Sequence, residues 1–352
     1  MATGCEVSRP RIAITMGDVA GIGPEVIVKA IAFGDVFSWA EPVVIGHPDV
    51  LRRAVQLVEA PLEIVSVASL EAGREPTHHS PRTTHRSLSC WNPSDDAAAS
   101  VPSGRNDARA GRAAFGYLVA AIQAALAGTV DAICTAPISK AALHLAGLNY
   151  PGHTEILAER CGVCEYAMML YLPPGDLLRG SDGLGVVHVT LHTSIRSVPG
   201  LISTAAVLEK IRLVHSFMQR ITGRSARVGV CALNPHAGEE GLFGDEEPRL
   251  IAPAVAMAFT EGIATSGPFP ADTLLKRACD GEFDAVVAMY HDQGHIALKL
   301  IGFHRAVNIT LGLPIVRTSP SQGTAFDIAW KGIAKPDGML AALRVAARLC
   351  VR

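Results

Sequence analysis

Excess charge is missing from this chain: 31 basic and 33 acidic residues leave a formal net charge of −2 over 352 residues. That balance gives no electrostatic footprint for nucleic acid or for an anionic membrane, so neither is expected as a partner. No apolar run is long enough to cross a bilayer, and no signal-peptide pattern stands at the start, so the expected location is the cytoplasm. The eight cysteines are scattered rather than paired, which argues against a disulfide framework. Cys161-Gly-Val-Cys164 is the one close pair; it has no second pair nearby to complete a zinc site and reads as incidental. Lysine is scarce, with seven among the 31 basic residues, so a lysine inside a ligand-facing motif stands out. The G-x-G-x-x-G dinucleotide fingerprint, internal repeats and heptads are all absent.

A hydrophobic content of 49% points to a core-rich globular protein, and the length suits two domains or one large α/β unit with a cleft. Short β-branched runs alternate with helix-length segments, which is the pattern of a mostly parallel sheet. Arg11–Met16, Val43–Gly46, Leu62–Val67 and Asp131–Thr135 read as strands, and Ala110–Ala127 as a helix. Pro173–Gly183 reads as a hairpin or loop between two strands. Residues 71–109, rich in Ser, Thr, Pro, Arg and Asn and including His78, His79, His85 and Trp91, read as a loop insertion. The expected subdomains are 1–135 with 265–352, and 136–264.

Three histidines follow strand-like runs. His192 ends Gly185-Val-Val-His-Val-Thr-Leu-His192, His236 follows Val228-Gly-Val-Cys-Ala-Leu-Asn-Pro235, and His291 follows Ala285-Val-Val-Ala-Met-Tyr290. Residues just past the strand ends of such a sheet face a common crevice. Three imidazoles there, with carboxylates nearby, predict a divalent metal site with open positions.

Anion chemistry is suggested twice. Pro151-Gly-His153-Thr154-Glu155 opens a helix over Ile156–Cys161 with Thr154 as its N-cap, and a helix N-terminus offers free N–H groups to an anion. Lys299, Asn308 and Arg317 together suit a phosphate or carboxylate, arginine as a planar fork and lysine as a point charge. Asp272 is a candidate for proton transfer or ligand orientation. The glycine-rich turn Ser319-Pro-Ser-Gln-Gly323-Thr324-Ala-Phe-Asp327 can accommodate an adenosine, with Gly323, Thr324 and Asp327 as the contacts.

Five segments carry a family resemblance: Ile14-Thr-Met-Gly-Asp-Val-Ala-Gly-Ile-Gly-Pro-Glu-Val26, Pro151-Gly-His-Thr-Glu155, Asn234-Pro-His-Ala-Gly238, Tyr290-His-Asp-Gln-Gly294 and Asn308-Ile-Thr-Leu-Gly-Leu-Pro314. The chain resembles the 4-hydroxythreonine-4-phosphate dehydrogenase family over most of its length outside 71–109. The opening motif and the 322–329 loop are also similar to the isocitrate and isopropylmalate dehydrogenase fold. The resemblance implies a two-domain α/β/α fold with its active site in the cleft between domains. It further implies a divalent metal (Zn, Mg, Co or Mn) on His192, His236 and His291, with ligands shared across a homodimer. Substrate would be held by His153, Thr154, Lys299, Asn308 and Arg317, and NAD or NADP by the C-terminal loop. That loop commonly reads Ser-Val-Asp-His-Gly-Thr in the family, where this chain has Ser319-Pro-Ser-Gln-Gly-Thr324. Gly294–Leu300 and Phe326–Trp330 look closer to the branch acting on 4-phosphothreonate, and Val187–His192 is similar to a relative that oxidises the terephthalate dihydrodiol.

The expected activity is therefore metal-dependent oxidation of a secondary hydroxyl on a phosphorylated hydroxy acid, 4-phosphohydroxythreonine or 4-phosphothreonate/erythronate. It yields a β-keto acid that loses carbon dioxide, with Lys299 or Asp272 relaying protons. The competing readings are a dihydrodiol dicarboxylate dehydrogenase, a three-histidine metallohydrolase needing no nicotinamide, and a non-catalytic sugar-phosphate binder.

Overall fold

Runs of apolar residues buried on both faces set the centre of this molecule, as parallel strands flanked by helices require. The computed structural model describes residues 9–71, 86–175 and 177–350. Up to residue 162 the order is β1 (Arg11–Thr15), α1 (Gly23–Phe33), β2 (Glu41–Ile45), α2 (Pro48–Leu57), β3 (Leu62–Val67), β4 (Arg86–Trp91), α3 (Ala108–Leu126), β5 (Ala132–Thr135), α4 (Lys140–Leu145) and α5 (His153–Cys161). Then come β6 (Ala167–Leu172), β7 (Leu184–His188), α6 (Val198–Leu201), α7 (Thr204–Thr222), β8 (Val228–Cys231), α8 (Ala252–Thr260), β9 (Thr265–Phe269), α9 (Ala271–Cys279), β10 (Ala285–Ala288), α10 (His291–Gly302) and β11 (Val307–Leu311). The last two are β12 (Val316–Pro320) and α11 (Asp337–Cys350).

The chain forms two compact units, residues 1–162 with 313–352, and residues 163–312. In the first, the strands run in the order β3-β4-β2-β1-β5-β12, all parallel. Ile12 and Ile14 of β1, with Val44 and Ile45 of β2, are fully or almost fully buried. In the second, the order is β11-β6-β7-β10-β8-β9, and β6 alone runs against the rest. Leu170, Val186, Leu274, Phe283, Val286 and Leu298 anchor its core. The expected α/β class with a mostly parallel sheet is what forms, and β6 and β7 make the expected antiparallel pair around 173–183. Among the described residues no helix is long and apolar enough to cross a membrane.

Two expectations change. The unit boundaries fall at 162/163 and 312/313 rather than at 135 and 265. Helices α4 and α5 pack on α3 and so stay with the first unit, while β9, β10 and β11 pair inside the second. The 71–109 segment is not simply an inserted loop. It contributes β4, which pairs with both β3 and β2, and a short 3-10 turn at Asp96–Ser100. Burial of Leu88 and Cys90 against partly exposed neighbours gives β4 the period of two expected of a strand. His78, His79 and His85 lie outside the described residues.

Asp284, just before β10, is a buried carboxylate that fastens the second unit. Arg224 bonds it with both guanidinium nitrogens at 2.8 and 2.7 Å, and Arg227 adds its backbone N–H at 2.8 Å and its side chain. Burial alone would push this carboxyl up, but the two arginines and the backbone N–H together hold it well below its ordinary 3.8. Its stabilising contribution is therefore complete above the ordinary carboxylate range and is lost as pH falls through that range toward the lowered folded value. Asp284→Ala is expected to cost about 2–3 kcal/mol, below the full figure for a broken buried pair because both arginines are half exposed. Urea unfolding at pH 7 and pH 3 checks this: the gap between wild type and variant should narrow at the lower pH.

Candidate active site

In the second unit, β7, β10 and β8 are adjacent and parallel, and each of the three histidines lies beyond the C-terminal end of one of them. His192 is exposed four residues past β7. His291 begins α10, and His236 sits exposed in the turn after β8. The rings of His192 and His291 have centroids 5.9 Å apart and share a concavity of about 490 Å³ with Leu191, Ile195, Tyr290 and Asp292. Two imidazoles bound through one nitrogen each to a single tetrahedral ion stand about 5 Å apart, centre to centre. This pair is within an ångström of that spacing.

Asp292 Oδ1 accepts from His291 Nδ1 at 2.6 Å. A carboxylate can only accept, so His291 keeps its Nε2 lone pair for a ligand, the arrangement commonly found behind metal-bound histidines. His236 has Glu239 at 4.0 Å and the Phe243 ring at 6.2 Å. Among the described residues no group of three or more His, Cys, Asp or Glu side chains is gathered closely enough to hold a metal ion.

Beneath His291 the structure adds two histidines that the sequence reading passed over. The His295 ring stacks on His291 at 3.8 Å and 11°, and its Nδ1 lies 3.1 Å from His188 Nε2. Burial, together with the neighbouring imidazoles, holds His188 well below 6.5. Burial, His291 and Lys299 bring His295 down to about 4. Both are neutral at neutral pH. The spacing of His291 and His295 at i and i+4 on a helix was the available signal. Gly294 makes the packing possible, since a Cβ there would stand 2.6 Å from His188 Nε2.

In the first unit, α5 begins at His153, earlier than expected, and its N-cap is Gly152 rather than Thr154. No side chain caps it, and an uncapped helix N-terminus is a place where N–H groups can meet an anion. Arg317 on β12 is buried and donates from Nη2 to Thr135 Oγ1 at 2.7 Å. Burial lowers its guanidinium to about 10. His153 keeps a buried Nε2 without a partner, and burial, with Arg317 close by, holds it well below 6.5. A neutral imidazole, a buried cation and an uncapped helix start thus occur in one unit.

Lys299 and Asn308 belong to the second unit. Lys299 lies one turn beyond His295 with its Nζ 6.0 Å from the centre of the Phe303 ring, and Asn308 sits half-buried on β11. Asp272 is exposed in the first turn of α9, its Oδ1 accepting from Thr273 N. The 321–330 loop is fixed to the opening turn: Ile22 N donates to Thr324 O at 3.0 Å, and Trp330 Nε1 donates to Val19 O at 2.9 Å. Gly23 starts α1 from that same turn. Gly323 and Asp327 are exposed, and nothing stands within 4 Å of a Cβ built at Gly323.

With histidines past parallel strand ends in one unit and an uncapped helix start in the other, the chain is an α/β enzyme whose relatives place it in the dehydrogenase class. The chain belongs to the family described as "Pyridoxal phosphate biosynthetic protein PdxA", whose sequence profile matches residues 38–346. It is 44% identical over 345 residues to a 4-hydroxythreonine-4-phosphate dehydrogenase of Trichlorobacter lovleyi, covering 97% of this chain and 98% of that one. It is also 44% identical over 342 residues to a D-threonate 4-phosphate dehydrogenase of Salmonella typhimurium, covering 96% and 98%. Among solved structures, a 4-hydroxythreonine-4-phosphate dehydrogenase from Klebsiella pneumoniae superposes with a TM-score of 0.83 at 42% identity, covering 97% of this chain and 99% of that chain.

Proposed function

We propose that this chain oxidises a phosphorylated four-carbon hydroxy acid, 4-phosphohydroxythreonine or a 4-phosphothreonate or -erythronate, with NAD or NADP and a divalent metal. The metal set is His192, His236 and His291, with at least one of the three supplied by the partner in a homodimer. That the three are not gathered into one metal-holding group among the described residues supports sharing. So does an apolar stripe just beyond His291, where Ile296, Leu300 and Phe303 are exposed at i, i+4 and i+7. A divalent ion there supplies Lewis acidity to a chelating hydroxyl and carboxylate, and NAD(P)+ supplies the hydride acceptor.

The chain's own residues do the rest. Arg317 and the α5 N-terminus take the phosphate, and neutral His153 with Thr154 offers hydrogen bonds without adding charge. Lys299 and Asn308 hold the remaining polar groups. The hydroxyl proton passes through Lys299 or Asp272 to solvent while the hydride leaves the same carbon. The resulting ketone lies β to the carboxylate, which departs as carbon dioxide. Gly323, Thr324 and Asp327 face the adenosine.

The observation that carries the phosphate reading is the buried Arg317 in the unit whose α5 start is uncapped. Losing a charge-assisted contact of this kind costs roughly 1.5–3 kcal/mol, so Arg317→Ala should raise KM for a phosphorylated substrate by about 10–150-fold. The dephosphorylated analogue should be a poor substrate for the wild type and little changed by the variant. The assay offers each phosphorylated acid, its dephosphorylated form and a cyclic dihydrodiol dicarboxylate, with NAD+ or NADP+ and a divalent ion, and follows nicotinamide reduction. Preference for the dicarboxylate would overturn the reading in favour of the dihydrodiol activity, and turnover without nicotinamide would favour a hydrolase.

A further inference from the structure

Beyond β8 the backbone does something few L-residues tolerate. His236, Ala237, Gly238, Glu239 and Glu240 follow one another in the left-handed region, with φ of 51, 54, 80, 44 and 55°. Only Gly238 among them lacks a Cβ to crowd the next carbonyl, and single left-handed residues are the norm, not runs. Such a turn persists only when its surroundings over-determine it.

The surroundings here centre on Glu247, a carboxylate only 2% exposed. Its Oε1 accepts the backbone N–H groups of Leu233 at 2.9 Å and Asn234 at 2.8 Å. Its Oε2 accepts from Asn234 Nδ2 at 3.1 Å, and the same amide donates to Glu246 Oε2 at 2.7 Å. On the far side of the turn a Cβ at Gly238 would stand 2.8 Å from Glu247 Oε2, so this glycine is what lets the backbone close over the carboxylate. Glu247 itself opens a π-helical turn, Glu247–Ile251, that runs into α8 and buries Ile251. The acceptor is thus mounted on a packed element and holds the entry of a turn whose His236, Glu239 and Glu240 are exposed.

We propose that Glu247 is the positioning residue for His236, holding the left-handed turn in the one conformation that presents this imidazole to the metal. The inference rests on reading His236 as a metal ligand. The chemistry requires a carboxylate: every group aimed at Glu247 is a donor, and a glutamine of the same size must turn its NH₂ toward either the two backbone N–H groups or the Asn234 amide. Glu247→Gln therefore breaks at least one half of the grip with almost no change of shape. Asn234→Ser loosens the same clasp from its more exposed side.

The test titrates Mn2+ into the metal-free full-length protein by calorimetry, for wild type, Glu247→Gln, Asn234→Ser and His236→Ala. Amide hydrogen exchange over residues 233–240 and NAD+ affinity by fluorescence quenching are measured alongside. Glu247→Gln should weaken Mn2+ binding by about 10–100-fold, the range for groups that support a ligand. Exchange at Leu233 and Asn234 should speed up, while NAD+ affinity stays within about twofold because the cofactor loop belongs to the other compact unit and shares no partner with Glu247. Asn234→Ser should move in the same direction by less, and it decides the matter if Glu247→Gln does not fold. Wild-type Mn2+ affinity in Glu247→Gln or, failing that variant, in Asn234→Ser, with His236→Ala impaired, overturns the positioning role and leaves the ligand reading intact. Equal loss of Mn2+ and NAD+ affinity also overturns it, since that is general loosening. Wild-type Mn2+ affinity in His236→Ala removes the ligand reading and the inference with it.

Discussion

His192→Ala, His236→Ala and His291→Ala are each expected to lower turnover by more than the roughly 10–100-fold that follows loss of a group merely supporting a ligand. Bound metal should fall in the same samples, because two remaining donors cannot complete the coordination sphere. His144→Ala is the control: this imidazole is exposed on α4 and bonded to Asn149, and its loss should change neither quantity. Among the three, His291 should be the most damaging, since it also carries the contact to Asp292 and the stack on His295. Elemental analysis of the purified variants and kinetics with added Mn2+ or Zn2+ separate weakened binding, which excess metal rescues, from a lost ligand, which it does not. Full activity in a chelated sample would end the metal mechanism.

The second large effect is recovery rather than loss. If each site draws histidines from two subunits, His236→Ala and His291→Ala are each inactive alone but complement one another when subunits exchange. Random mixing in equal amounts makes half the dimers heterodimers, each with one intact site of two, so activity should return to about a quarter of wild type. Pairing His192→Ala with His291→Ala then tells which residues travel together. The 5.9 Å separation of those rings within one chain predicts no recovery for this pair. Recovery there would show that the ring pair seen in one chain is not the pair that binds one ion. No recovery in either mixture, with exchange verified by mass spectrometry, would rule out sharing that involves His291.

Parts of this were legible in the residues and parts were not, for separable reasons. Leu62–Val67 forms over the residues read from its alternating pattern, and β1 and β5 differ from their expected spans only at an end, because those two strands are buried on both faces and are written as continuous apolar runs. β4 was hidden because Arg86, Ser87 and Ser89 dominate its composition, and only Leu88 and Cys90 keep the alternation of a half-buried strand. The start of α5 was misplaced because a threonine is a stronger written cap than a glycine, yet Gly152 at φ 172° is extended backbone that the helix simply begins after. The unit boundaries are set by which helices pack on α3 and by the pairing of β9, β10 and β11, tertiary facts with no local spelling. Strand-end placement of the histidines was readable, since it depends only on where apolar runs stop. The left-handed turn was not, because four of its five residues are types that normally avoid that region.

The first unit is built from both ends of the chain. Lys29 on α1 donates to the carbonyls of Gly332 and Ala334 at 2.8 Å each, across more than three hundred residues of sequence, and β12 pairs beside β5. The second unit is continuous, and every strand of its sheet has been made once residue 312 is added. During synthesis, then, the unit carrying the three histidines can form first, while β5 waits with an open edge until β12 and α11 arrive. In refolding from denaturant the same separation places the slow, long-range closure in the unit that holds Arg317, so the phosphate binding proposed for that residue should be the last property to return.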